Sequence, residues 1–372
     1  MKKKKVLFFI YQLGAGGAAR TILNIINNMD REKFTPILVT LDYNGSYESY
    51  LDSDVTFIKL DTKRLRSAIF PLAKVIRREK VDIVFSTIPN YNTIAILATI
   101  LSGTKAKNVV REAAYLGGNF KADFKLKLYG LLYRRASRVI ALSHGVKENI
   151  VKRYKVRPDK ISVIYNPVDI DTIRSMMKKE TLPEEHQPIF AGDDKVLITA
   201  GRMVNDKDHR TLLRAFKQVN ERIAVRLVIL GEGELEQELK QLAKNLGIAD
   251  KVHFLGFQRN PYLYFHHADA FVLSSKREGF GHVLAEALAT GTPIVSTSCR
   301  PGAVEVLNNG EFGAMCKVGD DGDMANKIYE LLILEENQRA EIVRKGIKRT
   351  NDFHARKIAE EYETMFIETL EQ

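Results

Sequence analysis

Two doubly wound α/β domains in series, each on a parallel sheet, are the fold class that three features of this sequence predict. Its 372 residues exceed what one hydrophobic core ordinarily supports, and 45% of them are hydrophobic, enough for two cores. Strand-like runs that are apolar nearly throughout, as strands covered on both faces must be, alternate with helical patterns. The alternation pauses once, in YNPVDIDTIRSMMKKETLPEEHQPIFAGDD, where Pro167, Pro183, Pro188 and a polar cluster interrupt it, and then resumes. The boundary falls at Asn166 to Asp169, giving a first domain of residues 1–168 and a second of 169–352.

The first domain contributes the runs KVLFFI, FTPILVTL, VTFIKL, VDIVFST, KNVVRE, SRVIALS and KISVIYN. Right-handed crossovers between such strands give a doubly wound layer. KVLITAG, VRLVILG, KVHFLGF, DAFVLSS, TPIVST and GAMCKV, each trailed by a helical segment, build the second. Residues 353–372 set Ile358, Tyr362, Met365 and Phe366 at helical spacing and close the chain with one amphipathic helix. MKKKKVLFFI begins like a signal peptide, but its apolar run is too short for one and reads as the first strand. TIAILATIL, at 93–101, has half the length of a membrane span and reads as a buried helix. Cys299 and Cys316 offer no disulfide framework and no metal-ligand spacing, so both read as small buried residues of a protein in a reducing compartment.

Charge is unevenly spread. Residues 1–168 hold 30 Lys and Arg against 13 Asp and Glu, and the rest hold 27 against 33, within a net charge of +11. A basic first half implies an anionic partner: a membrane surface, a polyanionic polymer or nucleic acid. Nucleic acid ranks last, because the chain has no tryptophan and no nucleic-acid-binding motif.

In open parallel sheets ligands sit outside the carboxyl ends of the strands, so the residues after strands carry the chemistry. Gly14, Gly16 and Gly17 follow the first strand and aim backbone amides at an anion. Gly14-x-Gly16-x-x-Ala19, with Asp42 closing the next strand, also satisfies a relaxed dinucleotide fingerprint, although Tyr11, Gln12 and Leu13 lengthen a turn that should be tight. After VLITA, Gly201, Arg202 and Lys207 put two cations on one loop, which suits a diphosphate. GEGELEQELKQL reads as a glycine turn whose glutamates cap a helix. HADAFVLSSKREGFGHVLAEALATGTPIVST places Glu278 after a strand, then Gly279, Phe280 and Gly281, then Glu286 one turn into a helix. Free amides between two carboxylates that can accept from sugar hydroxyls meet the needs of a nucleotide sugar.

The second half resembles the nucleotide-sugar-binding domain of retaining glycosyltransferases of family four (group 1), which have the GT-B fold. The matching pieces are GRMVNDKDHRTLLRAF, LVILGEGELEQELKQLAKNLGI, VHFLGF and the E-x7-E motif of EGFGHVLAEALATGTPIVST. The first half is similar through GAGGAAR and RVIALSHGVKENIVKRYKVRPDKISVIYNPVD. The resemblance implies two Rossmann-like domains facing across a cleft, an acceptor-binding first domain, a donor-binding second, and a final helix that returns to the first. It implies that Arg202 and Lys207 clamp the donor diphosphate, Glu286 holds the ribose and Glu278 lies against the donor sugar. Gly201 and the amides of Gly279, Phe280 and Gly281 would border sugar and phosphate, Gly256, Phe257 and Arg259 the base, and Gly16 and Gly17 the diphosphate. The expected reaction is transfer of a hexose or N-acetylhexosamine from a nucleotide diphosphate sugar, UDP-linked by resemblance, to a lipid-linked or polymeric, polyanionic cell-surface glycan.

Fixed cations and amides can stabilise the departing diphosphate, so no cofactor and no metal are expected. The aspartates at 52–54 and 320–323 read as surface turns rather than metal sites. Many relatives carry a histidine after a first-domain strand near the donor sugar; here NVVREAAYLGG offers Arg111 and Glu112, and His144 follows a later strand, leaving three acceptor-side candidates. NFKADFKLKLYGLLYRRASR, with Phe124, Leu128, Leu131 and Leu132 among basic residues, reads either as core or as a helix for an anionic membrane surface, assisted by KRLR at 63–66 and by Arg77 and Arg78. A cytoplasmic enzyme, peripheral on the inner face of the cell membrane, is the corresponding expectation. Two rivals remain at this stage: a nicotinamide-nucleotide-dependent oxidoreductase or epimerase, and a non-catalytic sugar-nucleotide binder that partners another transferase.

Overall fold

A computed structural model describes residues 3–14 and 16–372. The chain divides into two compact units, one of residues 1–168 with 353–372 and the other of residues 169–352. Each of the thirteen strand-like runs forms a strand. In the first unit these are β1 (Lys4–Phe9), β2 (Phe34–Thr40), β3 (Thr56–Lys59), β4 (Ile83–Thr87), β5 (Lys107–Glu112), β6 (Arg138–Ala141) and β7 (Ile161–Val163). In the second they are β8 (Lys195–Ala200), β9 (Val225–Leu230), β10 (Val252–Gly256), β11 (Ala270–Leu273), β12 (Ile294–Thr297) and β13 (Ala314–Cys316).

Both sheets are parallel throughout, ordered β3-β2-β1-β4-β5-β6-β7 and β10-β9-β8-β11-β12-β13. In each, the chain starts at a central strand, winds to one edge, then returns to pair on the other side of its first strand. That reversal, between β1 and β4 and again between β8 and β11, is where doubly wound sheets bind ligands.

The helices follow from their apolar spacing. His209–Asn220 buries Leu212, Leu213, Phe216 and Val219 against β8 and β9 side chains. Gly17–Asn28 buries Ile22, Ile25 and Ile26, and the final helix, Ala355–Glu371, lies on the same core through Ile358, Tyr362 and Phe366. The Phe366 ring meets Phe8, Phe34 and Phe85 at centroid distances of 6.4, 6.2 and 6.0 Å, all near edge-to-face, the arrangement aromatic quadrupoles favour. The chain leaves this unit at Val168 and re-enters it at Phe353: the Val168 N–H donates to the Phe353 carbonyl at 2.7 Å, and the Ala355 N–H to the Val168 carbonyl at 2.9 Å. Among the described residues no helix is long and apolar enough to cross a membrane.

Candidate functional site

In the second unit the loops after β8 and β11, on either side of the reversal, are tied together. Lys207 Nζ lies 2.5 Å from Glu278 Oε1, and Ser275 Oγ donates to the same oxygen at 2.8 Å. Ser274 Oγ donates to the Lys207 carbonyl at 2.8 Å, the Lys276 N–H to the Asp206 carbonyl at 2.8 Å, and Thr297 Oγ1, at the end of β12, to the Ser275 carbonyl at 2.6 Å. Glu278 Oε2 accepts no hydrogen bond among the described residues. Of the two cations that the sequence puts on this loop, Lys207 is engaged with Glu278. An ammonium carries three donors, so two remain. Arg202 stays exposed, and its guanidinium makes no hydrogen bond or ion pair among the described residues.

Glycines let the neighbouring loops close on this one. The Gly201 N–H donates to the Leu230 carbonyl at 3.0 Å, the Met203 N–H to the Glu232 carbonyl at 2.9 Å, and the Gly231 N–H to the Gly256 carbonyl at 2.7 Å. At Gly231, where φ is +118°, a Cβ would stand 2.3 Å from the Gly201 carbonyl oxygen, and at Gly233 one would stand 2.4 Å from that of Met203. GEGELEQELKQL is therefore more than a capping turn: its glycines admit the backbone that carries Arg202.

Gly281, at φ +87°, precedes the helix His282–Ala289, and the N–H groups of Gly279 and Gly281 donate to no acceptor among the described residues. Phe280 is buried, its ring 5.5 Å from His282. Its backbone lies so close to Gly302 that a Cβ there would meet it at 2.5 Å. The Gly302 N–H holds the Glu278 carbonyl at 3.0 Å. Glu286 is buried one turn into the helix. Gly256 ends β10, followed by exposed Phe257 and Arg259. His209, which the sequence reading missed, is buried at the start of the helix after Lys207; burial, then the Lys207 charge, pushes its pKa down to about 4. It is neutral at physiological pH.

In the first unit, exposed Gly16 precedes the helix Gly17–Asn28 in an extended conformation, with nothing within 4 Å of where a Cβ would sit. Ala15, inside the dinucleotide-like spacing, lies outside the described residues. Arg111 and Glu112, two of the acceptor-side candidates, are both enclosed, because β5 is an inner strand covered on both faces. Arg111 donates to Thr87 Oγ1 at 3.0 Å and to Asn166 Oδ1. Glu112 accepts from Asn92 Nδ2 at 3.1 Å, Tyr154 OH at 3.1 Å and the Tyr133 hydroxyl. Burial pushes its carboxyl up to about 7 against the pull of those donors. His144 is exposed at the start of a short helix after β6, its ring 6.4 Å from Tyr165.

The helix Phe120–Tyr133 resolves the choice between core and surface. It buries Leu126, Gly130 and Tyr133, and exposes Phe124, Leu128, Leu131 and Phe120, the last to 89%. Lys121, Lys125, Lys127, Arg134 and Arg135 are exposed around that stripe. The aspartate clusters serve local structure: Asp52 and Asp54 pair with Arg31, Asp321 with Arg214, and Asp320 caps a helix. Cys299 and Cys316 are free thiols that burial pushes up to about 11 and about 12.

A doubly wound pair of domains with a charged, glycine-rich reversal point defines the class. Residues 182–349 match the glycosyl transferases group 1 family, and residues 15–172 match glycosyltransferase family 4. The chain is 30% identical over 374 residues to the N-acetylgalactosamine-N,N'-diacetylbacillosaminyl-diphospho-undecaprenol 4-alpha-N-acetylgalactosaminyltransferase of Campylobacter jejuni, covering 96% of this chain and 97% of that protein. It therefore belongs to the family 4, group 1 glycosyltransferases. Its fold is GT-B, shared with a glycosyltransferase of Rickettsia africae (TM-score 0.83, 21% identity, 100% of this chain and 99% of that one). Anabaena HepE, solved in complex with UDP, is similar in the same way (TM-score 0.82, 21% identity, 98% and 100%).

Proposed function

We propose that this chain is a retaining, metal-independent hexosyltransferase that moves a hexose or N-acetylhexosamine from a UDP-linked donor to a lipid-linked or polymeric cell-surface glycan. The observation that supports this reading is the contact of Lys207 with Glu278, which ties the loop after β8, bearing exposed Arg202, to the glycine-rich loop after β11 at the reversal point of the second sheet. As the sugar–phosphate bond breaks, negative charge grows on the leaving diphosphate, and donors already fixed in place stabilise it without reorganising. Arg202, the two remaining protons of Lys207 and the amides of Gly279 and Gly281 supply such donors. Glu278, held through Oε1, keeps Oε2 for a sugar hydroxyl, while Glu286 serves the ribose and the loop Gly256–Arg259 borders the base. Gly201 lies beside the Lys207 stem, a notional Cβ there standing in ordinary contact at 3.5 Å from Lys207 Cε.

The first unit takes the acceptor. Same-face attack, with the acceptor hydroxyl deprotonated by the leaving phosphate, needs no carboxylate nucleophile. The similar Campylobacter enzyme is named for a diphospho-undecaprenol acceptor and HepE was solved with UDP, which supports a lipid-linked acceptor and a uridine donor. The exposed stripe Phe120, Phe124, Leu128 and Leu131 amid lysines and arginines supports peripheral binding to an anionic membrane from the cytoplasmic side.

Thermal-shift titration of the purified chain with UDP- and other nucleotide-linked sugars tests the donor reading; a raised melting temperature with a UDP-sugar is expected, and no response to any of them overturns it. Flotation with vesicles containing phosphatidylglycerol tests the membrane reading. Equal binding to neutral phosphatidylcholine vesicles, or none to either, overturns that part.

A further inference from the structure

The segment where the strand–helix alternation pauses does more than join two domains: within the second unit it holds the loop after β10. That loop, residues 256–260, alternates in how it uses its side chains and backbone. Gly256, Gln258 and Asn260 are tied inward, while Phe257, at 65%, and Arg259 are exposed between them. The Gly256 carbonyl accepts the Gly231 N–H at 2.7 Å, and its φ of +66° is one that glycine adopts without strain. Asn260 is buried, and its Nδ2 donates to the Met176 carbonyl at 3.2 Å and to Glu180 Oε2 at 2.9 Å. Both acceptors belong to the pausing segment, Met176 within the helix Ile170–Lys179.

Gln258 is held through a chain of three side chains. Its Nε2 donates to the Leu255 carbonyl at 2.6 Å, which turns Oε1 of the same amide toward Tyr264, whose hydroxyl donates to it at 2.9 Å. A phenol has one proton, so the 2.8 Å contact of Tyr264 OH with His186 Nδ1 is a bond in which the imidazole N–H donates to the phenol oxygen. The chain thereby fixes the His186 tautomer with its proton on Nδ1. Tyr264 is buried, and burial, then the Glu185 charge, pushes its pKa up, so the phenol keeps its proton. The Phe190 ring packs on Tyr264 at 6.1 Å. On β9, the Arg226 guanidinium holds the Pro188 and Ile189 carbonyls at 2.7 and 3.2 Å, so the stretch that carries His186 is itself fastened to the sheet.

We propose that Gln258, Tyr264 and His186 are positioning residues that set which nucleotide base is accepted beside Phe257 and Arg259. The assignment rests on the reading in which the loop Gly256–Arg259 borders the donor base. None of the three needs to touch the nucleotide; each acts through the backbone on which the exposed pair is carried. A loop fixed before binding loses little conformational freedom when the ligand arrives, and it cannot retreat to admit a larger ring. Loosening the chain therefore costs affinity for the base that fits and narrows the margin over one that does not.

Calorimetric titration of the full chain with UDP and with ADP tests it. The parent should bind UDP about tenfold or more tightly than ADP. Tyr264→Phe keeps the ring packing and removes only the hydroxyl; it should weaken UDP binding about fivefold and ADP binding less than about twofold, so that the preference shrinks. Gln258→Ala should act in the same direction and, at a half-buried loop position, supplies the result should Tyr264→Phe fail to fold. His186→Phe should weaken UDP binding about threefold, and His186→Asn, which restores an N–H near Nδ1, should recover most of that loss. Tyr329→Phe, on another helix of the same unit, should bind both nucleotides as the parent does. Equal losses for UDP and ADP, as general loosening of the unit would give, overturn the inference. So do Tyr264→Phe and Gln258→Ala variants that keep the parent's affinities, or a parent that binds ADP as tightly as UDP. A parent that binds neither nucleotide overturns the donor reading itself, and the inference falls with it.

Discussion

The two sheets of this chain share a winding order and differ in what they present where that order reverses. Between β8 and β11 stand a guanidinium, an ammonium paired with a carboxylate, and glycine amides; between β1 and β4 stand a glycine loop and three tyrosine rings. Neither set is required by the strands, which in both units are plain apolar runs. The contrast shows that one scaffold, built twice, accommodates opposite chemistries because the loops after strands are free of the packing that constrains the strands themselves.

The largest expected effect breaks the second unit's half of this comparison. Arg202→Ala should lower kcat/KM for transfer by about 10²- to 10³-fold, the usual loss when one fixed donor to a developing anion is removed, with the urea unfolding midpoint unchanged. A comparable loss is expected for Lys207→Ala, and turnover equal to the parent in both variants would remove the donor site from this location.

The next effect belongs to the first unit, where the charged group lies inside rather than at the loops. Glu112 titrates near 4.5 when unfolded and at about 7 when folded, so the folded chain binds the extra proton between those values. Its contribution is therefore most favourable below pH 4.5 and is lost as pH rises through about 7, by on the order of 3 kcal/mol in total. Urea unfolding at pH 5.5 and 8 should show that decline in the parent. Glu112→Gln should remove much of this slope.

Gly231→Ala sharpens the comparison from the backbone side. A methyl group 2.3 Å from the Gly201 carbonyl must push the Arg202 loop away, and an alanine at φ +118° is strained besides. A loss of about 1–3 kcal/mol in stability and weaker nucleotide-sugar binding are expected together, measured by unfolding and by calorimetry. The smallest effect is a cap. Asn119 Oδ1 accepts from the Ala122 N–H at 2.9 Å, so Asn119→Ala should cost about 1 kcal/mol and speed amide exchange over residues 120–133.

What the sequence discloses of this molecule divides along the same line. All thirteen strands, of three to seven residues, were legible, because short, nearly continuous apolar runs between helical patterns leave little alternative. Arg202 and Glu286 were legible as loop and helix residues after strands. Their company was not: the partner of Lys207 lies 71 residues away, and only the pairing of β8 with β11 brings it near. Tyr11, Tyr43 and Tyr91 lie far apart in the sequence, and only the order β2-β1-β4 sets their loops side by side. The enclosure of Arg111 and Glu112 was not legible either, because Tyr133 and Tyr154, which bond to Glu112, come from later segments of the chain.

The two hydrogen bonds that join Val168 to Phe353 and Ala355 bear on how the chain matures on the ribosome. Residues 169–352 form a self-contained body interposed within another, and all of it is synthesised before the helix that covers Phe8, Phe34 and Phe85 emerges. The later body can thus consolidate while the earlier one waits with an oily flank uncovered, and a nascent chain stalled short of Ala355 would be the form most in need of a chaperone.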